Sequence, residues 1–172
     1  MAIAYVLTYD GSKPTITAPD GWQLIRDDYT ETRQSLYGHT IQANDSSTAS
    51  WTFSEPVDAQ GASLLLDNVA SASPVDITSG DTGTGGTMSA EPVVTSTDAD
   101  LILGFFATDF HLPGLTSIPA ETRVIDQEWA SHEFWILATY QSKNGASQET
   151  EFTLPQIFNW TAAQVAIKNG RD

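Results

Sequence analysis

Slid against itself by one hundred positions, without a gap, this chain meets its own pattern of apolar residues and turns. Ala2-Ile3-Ala4-Tyr5-Val6 falls on Ile102-Leu103-Gly104-Phe105-Phe106, Pro19 on Pro119, Leu24-Ile25 on Val124-Ile125, Tyr29 on Trp129 and Asn44 on Asn144. With a slip of one residue, Trp51-Thr52-Phe53 falls on Phe152-Thr153-Leu154, and Leu64-Leu65-Leu66 on Val165-Ala166-Ile167. Two similar multi-strand units, about 2–69 and 100–169, constrain the chain to a built-up architecture in which each unit covers the other's apolar side. A stretch at 70–90, dense in Gly, Ser and Thr, reads as the connection between them, because such a composition supplies little that a core can use.

The local pattern is that of strands. The segments 2–9, 22–26, 34–41, 49–54, 61–67, 91–95, 101–107, 122–126, 133–140, 149–154 and 161–167 are short and rich in β-branched or aromatic residues, and several alternate with period two. Turn clusters separate them, among them Asp10-Gly11-Ser12, Asp20-Gly21 and Lys143-Asn144-Gly145. Helical content is limited to a turn or two, since the longest candidate, 121–140, lacks a continuous apolar stripe. The expected fold is therefore all-β: one antiparallel sandwich domain over 1–172 with two pseudo-repeated halves.

Charge excludes some functions. There are 22 Asp and Glu residues against 7 Lys and Arg, a formal net charge of −15, and no Lys or Arg stands between Arg33 and Arg123. Such a surface repels a phosphate backbone, so no nucleic-acid partner is expected, while a basic protein patch would be drawn to it. There is no cysteine, which removes disulfides and thiolate metal sites. No apolar run approaches the roughly 18 residues of a membrane span, and no membrane partner is expected. The apolar start, 1–9, lacks the basic flank and cleavage site of a secretory signal and reads as a first strand.

No catalytic constellation stands out. A Gly-x-Ser-x-Gly elbow, an HExxH helix and a phosphate-binding GxxxxGK[ST] loop are all missing, and His39, His111 and His132 do not have ligand spacing. Glu128 and Glu133, beside Trp129 and Trp135, are the pair a glycosidase reading would choose. No cofactor is expected. Trp22, Trp51 and Trp135 lie in strand patterns and are read as core. Tyr29 and Trp129, with His132, lie in acidic hairpin tips at 27–32 and 126–132, where an aromatic suits either a contact with glycan or protein or a fold-back over the core. Asp76 and Asp81 in the 70–90 connection are candidates for an ion or a partner, and Phe158 and Trp160 form an apolar corner after Pro155 that suits docking.

The run Thr17-Ala18-Pro19-Asp20-Gly21-Trp22-Gln23-Leu24-Ile25 resembles the T-x-P-x-G-W-x-L-I element of a family of β-sandwich modules in bacteriophage structural proteins and bacterial surface proteins. Further pieces follow in the same order: Ala49 to Phe53, Ala62 to Val69, Pro74-Val75-Asp76, Glu91 to Thr97, Asp100 to Phe106 and Thr161 to Lys168. The resemblance implies a jelly-roll-like or lectin-like sandwich and carries no catalytic set. Family modules have an extended segment before the first strand. Glu91 to Thr97 matches it in the second half, whereas the first half begins at Ala2. An unpaired edge along Ala2 to Leu7 is therefore expected, with Ala2, Ile3 and Tyr5 as contacts to another subunit.

Together with the resemblance, these features imply a non-catalytic virion structural protein, on the capsid surface or the tail. The expected role is a capsid decoration or cement protein that bridges subunits of the major capsid protein or other virion proteins, as a homo-oligomer with a trimer favoured. The alternative is a tail or baseplate appendage, or a carbohydrate-binding module, that recognises host glycan.

Overall fold

The computed structural model describes residues 1–9, 11, 13–110, 123–129 and 132–170, with Arg123 and Trp129 described through their backbones alone. Among them there are thirteen strands and no helix. Four build the first sheet: β1 (Ala2–Thr8), β3 (Gln23–Tyr29), β4 (Arg33–His39) and β6 (Ala59–Leu65), in the order β3-β4-β1-β6. Five build the second: β7 (Val75–Ala90), β9 (Asp100–Thr108), β10 (Arg123–Trp129), β11 (His132–Gln141) and β13 (Thr150–Ile167), in the order β10-β11-β9-β13-β7. Short pairs complete the set, β2 (Ile16–Thr17) with β5 (Thr52–Phe53) and β8 (Val94–Thr95) with β12 (Gly145–Ala146).

All pairings are antiparallel, and the central strands of the two sheets have matching registers. Ala2 faces His39 and Leu65, and Ile102 faces Thr139 and Ala166. Every strand of the first sheet precedes residue 66 and every strand of the second follows residue 74. The all-β antiparallel sandwich expected from the sequence is thus what the chain forms, with its two main sheets drawn from successive parts of the chain.

Alternation along the central strands explains the packing. Ile3, Tyr5 and Leu7 of β1 point inward against Leu103, Phe105 and Ala107 of β9, Phe134 and Ile136 of β11, and Ala163, Val165 and Ile167 of β13. The Tyr5 ring lies 5.1 Å from that of Phe105 and 5.5 Å from that of Phe134, the latter edge-on. Each such side chain contributes about 1.5–3 kcal/mol by burial.

The opposite faces are also covered, so β1 and β9 are buried on both sides and read as unbroken apolar runs. Over the first sheet, Trp22, Trp51 and Phe53 from the β2–β5 layer pack on Ala4, Val6 and Tyr37. Over the second, Met88, Ala90, Phe152 and Leu154 pack on Phe106, Trp135 and Leu137. These last four belong to the far half of the β7–β13 ribbon, which turns back over its own sheet. The bend lies where Thr153 pairs with Thr87 and Phe158 with Gly85, so that Leu154 to Ile157 oppose Gly86 alone. Pro155, which has no N–H to give the ladder, sits inside this bulge.

The 70–90 stretch is thus mostly strand, contrary to its reading as a connection. Its glycines serve side chains from other strands. A Cβ at Gly80 would stand 2.7 Å from Cζ of Arg26, and one at Gly83 2.6 Å from Cζ2 of Trp160. Only glycine leaves room there for a guanidinium and an indole to lie across β7.

The edge expected at Ala2 to Leu7 is also corrected. β1 is central, held by β4 on one side and β6 on the other, both from the same chain. A central position lets both rows of its backbone groups pair, which suits a strand this apolar.

Candidate functional site

The residues singled out from the sequence do not converge on one site. Ala2, Ile3 and Tyr5 are interior, each at most 5 % exposed, and offer no side-chain surface to a partner. Trp160 is buried beneath Gly83, and Phe158 is half-buried with its ring stacked 5.7 Å from that of Phe110. Tyr29 is turned back on its own chain: its hydroxyl donates to the Gly11 carbonyl at 2.5 Å, and Lys13 Nζ lies 4.7 Å from its ring centre. His132 is half-buried and stacks on the buried ring of Tyr9 at 3.8 Å, with Nδ1 3.1 Å from the carbonyl oxygen of Asp109. The side chain of Trp129 and the whole of His111 lie outside the described residues. Glu128 and Glu133 are register partners across β10 and β11, Glu133 being buried and Glu128 exposed.

Asp81 is exposed and accepts the Thr82 amide at 2.7 Å, an arrangement within its own turn of chain. Asp76 is different. Its carboxylate accepts the amide and hydroxyl of Ser96 at 2.6 and 2.5 Å, and Lys168 Nζ lies 3.3 Å away. Burial pushes this carboxyl up, but Ser96 and Lys168 outweigh it and hold it below the ordinary aspartate value. Asp100, fully buried beside it, accepts the Thr97 hydroxyl at 2.6 Å. Burial, with the neighbouring Asp76 charge, raises Asp100 above the ordinary value. The pair and Lys168 tie the start of β7 and β9 to the chain just after β13.

A second network spans the two sheets. Tyr5 OH donates to Gln34 Oε1 at 3.1 Å, Gln34 Nε2 donates to Asp28 Oδ2 at 3.0 Å, and Arg26 grips Asp28 through Nε and Nη2 at 2.7 and 2.6 Å. Arg26 Nη2 also donates to the Gly80 carbonyl of β7 at 3.1 Å. Beside it, Arg33 binds Asp27 through Nε and Nη2 at 2.8 and 3.0 Å. Burial raises the Asp27 carboxyl, while Arg33 and Ser35 hold it below its ordinary value. On the surface, Lys143 Nζ lies 2.9 Å from Asp98.

Chemically these groups are fasteners. Asp27, Asp76 and Asp98 are held below the ordinary aspartate value by their partners, whereas Asp100 is raised by its burial and by Asp76. Among the described residues, no group of three or more His, Asp or Glu could hold a metal ion. What remains for solvent is the sign of the surface. Arg26, Arg33 and Lys168 are paired with Asp28, Asp27 and Asp76, and Lys143 pairs with Asp98 at the surface, whereas Asp20, Glu55, Asp58, Asp67, Glu91 and Glu149 stand exposed.

An open cleft of about 740 Å³ lies on the outer face of the second sheet. Ile102, Gly104, Leu137 and Phe152 line it together with Tyr140, Asn144, Glu149 and Glu151. Tyr140 is 63 % exposed and also borders a smaller cleft of about 270 Å³ with Asn68 and Asn169. Sequence reading passed over Tyr140 because it closes an apolar strand. The polar run Gln141 to Gln148 directly after it is the signal that marks the strand end as an open rim. Compared with models of protein families, with curated proteins and with solved structures, the chain matches none of them.

Proposed function

We propose that this chain is a non-catalytic structural protein of a virion, a capsid decoration or cement protein that docks on the shell and bridges its subunits. The observation that carries this reading is the allocation of charge. Arg26, Arg33 and Lys168 are ion-paired within the sandwich, and Asp20, Glu55, Asp58, Asp67, Glu91 and Glu149 face out. A surface of that kind is drawn to basic patches and favours solubility. The family resemblance of the Thr17–Ile25 run points to the same class of protein. Neither nucleic acid nor a membrane is a partner in this reading.

The test uses emptied capsid shells of the phage whose genome carries this reading frame, stripped of the protein. Added back, it should sediment with the shells, raise their rupture temperature, and dissociate as salt rises. Protein left at the top of the gradient at low salt refutes the reading.

The cleft beside Tyr140 supports a second reading, a glycan-binding appendage. A sugar ring can stack on the exposed aromatic while its hydroxyls pair with Asn144, Glu149 and Glu151. Fluorescence quenching by a panel of bacterial surface oligosaccharides, lost in Tyr140→Ala, supports it; no quenching across the panel removes it.

A further inference from the structure

Proteins guard the edges of their sheets, because an open row of N–H and C=O groups invites another strand. Of the four edges of the two large sheets, three are guarded. β3 carries Arg26, Asp27 and Asp28 and is bulged between Leu24 and Arg26. β10 carries Arg123, Asp126 and Glu128 and is bulged between Arg123 and Ile125. β7 carries Asp76 and Asp81. The fourth edge is β6, whose sequence Ala-Gln-Gly-Ala-Ser-Leu-Leu has no charge and no proline, and whose seven pairs with β1 run without a register shift.

The place beside β6 is also structurally incomplete. β6 flanks β1 as β13 flanks β9, and the far side of β13 is taken by β7. Among the described residues nothing pairs with the far side of β6. The core runs out there too: Ala62, Leu64 and Leu66 pack against the main cluster yet are only partly buried, and Leu65 is 78 % exposed.

We infer that β6 pairs antiparallel with β6 of a second copy of this chain, joining two four-stranded sheets into one across a twofold axis. The strand is self-complementary in charge, which makes a second copy its fitting occupant. An antiparallel pair centred on Ala62 or Ser63 sets small and apolar residues against each other. The nearest acids, Asp58 and Asp67, bracket the strand, so neither faces a like charge. Ala62 and Leu64 of each copy then extend the other's core. A twofold contact uses the same patch on both copies and closes after two, so the unit is a dimer in place of the trimer favoured from the sequence. Because each chain carries −15, the copies repel at long range and the pairing tightens as salt screens them. This inference stands apart from the decoration reading and survives its failure.

The test is sedimentation velocity on the full chain from about 1 to about 200 µM, at low and at about 0.5 M salt. The expected result is a monomer–dimer equilibrium, tighter at high salt. The double variant Ser63→Lys, Leu65→Lys places the natural edge guard at two exposed positions on the outer side of β6 and should weaken it at least about tenfold. Because the chain has no cysteine, Ser63→Cys gives a second, clean readout. Mild oxidation should trap a disulfide dimer with Ser63→Cys and not with Ser142→Cys. A wild type that stays monomeric at high salt overturns the inference. So does a dimer that the lysines leave intact and Ser63→Cys does not trap. Should the lysine variant fail to fold, the cysteine result decides.

Discussion

Replacing Arg26 by methionine tests the clamp between the two sheets. The side chain holds Asp28 by two bonds of 2.7 and 2.6 Å and reaches the Gly80 carbonyl at 3.1 Å. Methionine keeps the length of the stem and removes the charge. Asp28, whose side chain is 8 % exposed, is then left with Gln34 as its one remaining partner in this network. Removing one partner of a fully buried ion pair costs about 3–5 kcal/mol. Arg26 is itself 23 % exposed, and water reaching the vacated space offsets part of that cost, so the expected loss is about 2–3 kcal/mol. In a chain of this size that lowers Tm by roughly 5–10 °C. Urea unfolding should show the midpoint falling with an unchanged slope. Gly80→Ala should produce a similar loss, since its Cβ would stand 2.7 and 2.8 Å from Cζ and Nη2 of Arg26. In the double variant Arg26→Met, Asp28→Asn, much of the loss should return, giving a coupling of at least about 1.5 kcal/mol. A single variant within about 0.5 kcal/mol of wild type, or strictly additive losses, refutes the clamp.

Four further outcomes follow from the same geometry. Gly83→Ala forces a methyl against the Trp160 indole and should cost about 1–3 kcal/mol in thermal or urea unfolding; a neutral result means that β7 does not lie under that ring. Asp76 is held low, so its contribution is full above the unfolded value of about 3.9 and is lost as pH falls through the folded value. Asp76→Asn should therefore lower Tm at pH 7 and lose its effect in acid. Asp100 is held high, so Asp100→Asn should raise Tm at pH 7, with the gain vanishing below about pH 3.9; opposite signs for either variant refute the assignment. His39, raised by the Gly21 carbonyl and then by Asp45, lies 5.3 Å from the Trp22 ring. Its titration should quench tryptophan fluorescence with a midpoint above about 6.5, and His39→Gln should abolish the step; a midpoint below that value contradicts the contact.

How far the chain could be read depended on what each signal encodes. Period-two alternation and apolar runs record burial, and they placed β1, β4, β9, β11 and the two ends of β13 within a few residues. They do not record lateral neighbours. Nothing in Ala2 to Leu7 says that β6 lies beside β1, so the open edge was expected at β1, whereas among the described residues it is β6 that pairs on one side only. β7 escaped for a related reason. Its glycines clear space for Arg26 and Trp160, residues more than fifty positions away, and a composition that looks unfit for a core is what that space requires. The site residues were read only in part. An aromatic among acids reads as displayed, and Tyr29 is indeed exposed, though its hydroxyl and ring are engaged by Gly11 and Lys13, while Tyr9 claims His132 through a contact between separate elements. Asp76 was legible as a special acid, although its role as a tie to Ser96 and Lys168 depends on strands that meet only in the fold.

The claim that β6 is an open edge meant for a second copy is tested most directly by residue-resolved amide exchange along Ala59 to Leu65 at several protein concentrations. At low concentration the amides bonded to β1 should be protected and the alternate ones should exchange freely. As concentration rises the alternate amides should become protected together, while those of β13, already flanked on both sides by β9 and β7, stay unchanged. Alternate amides of β6 that are protected at every concentration, or exposed at every concentration, contradict it.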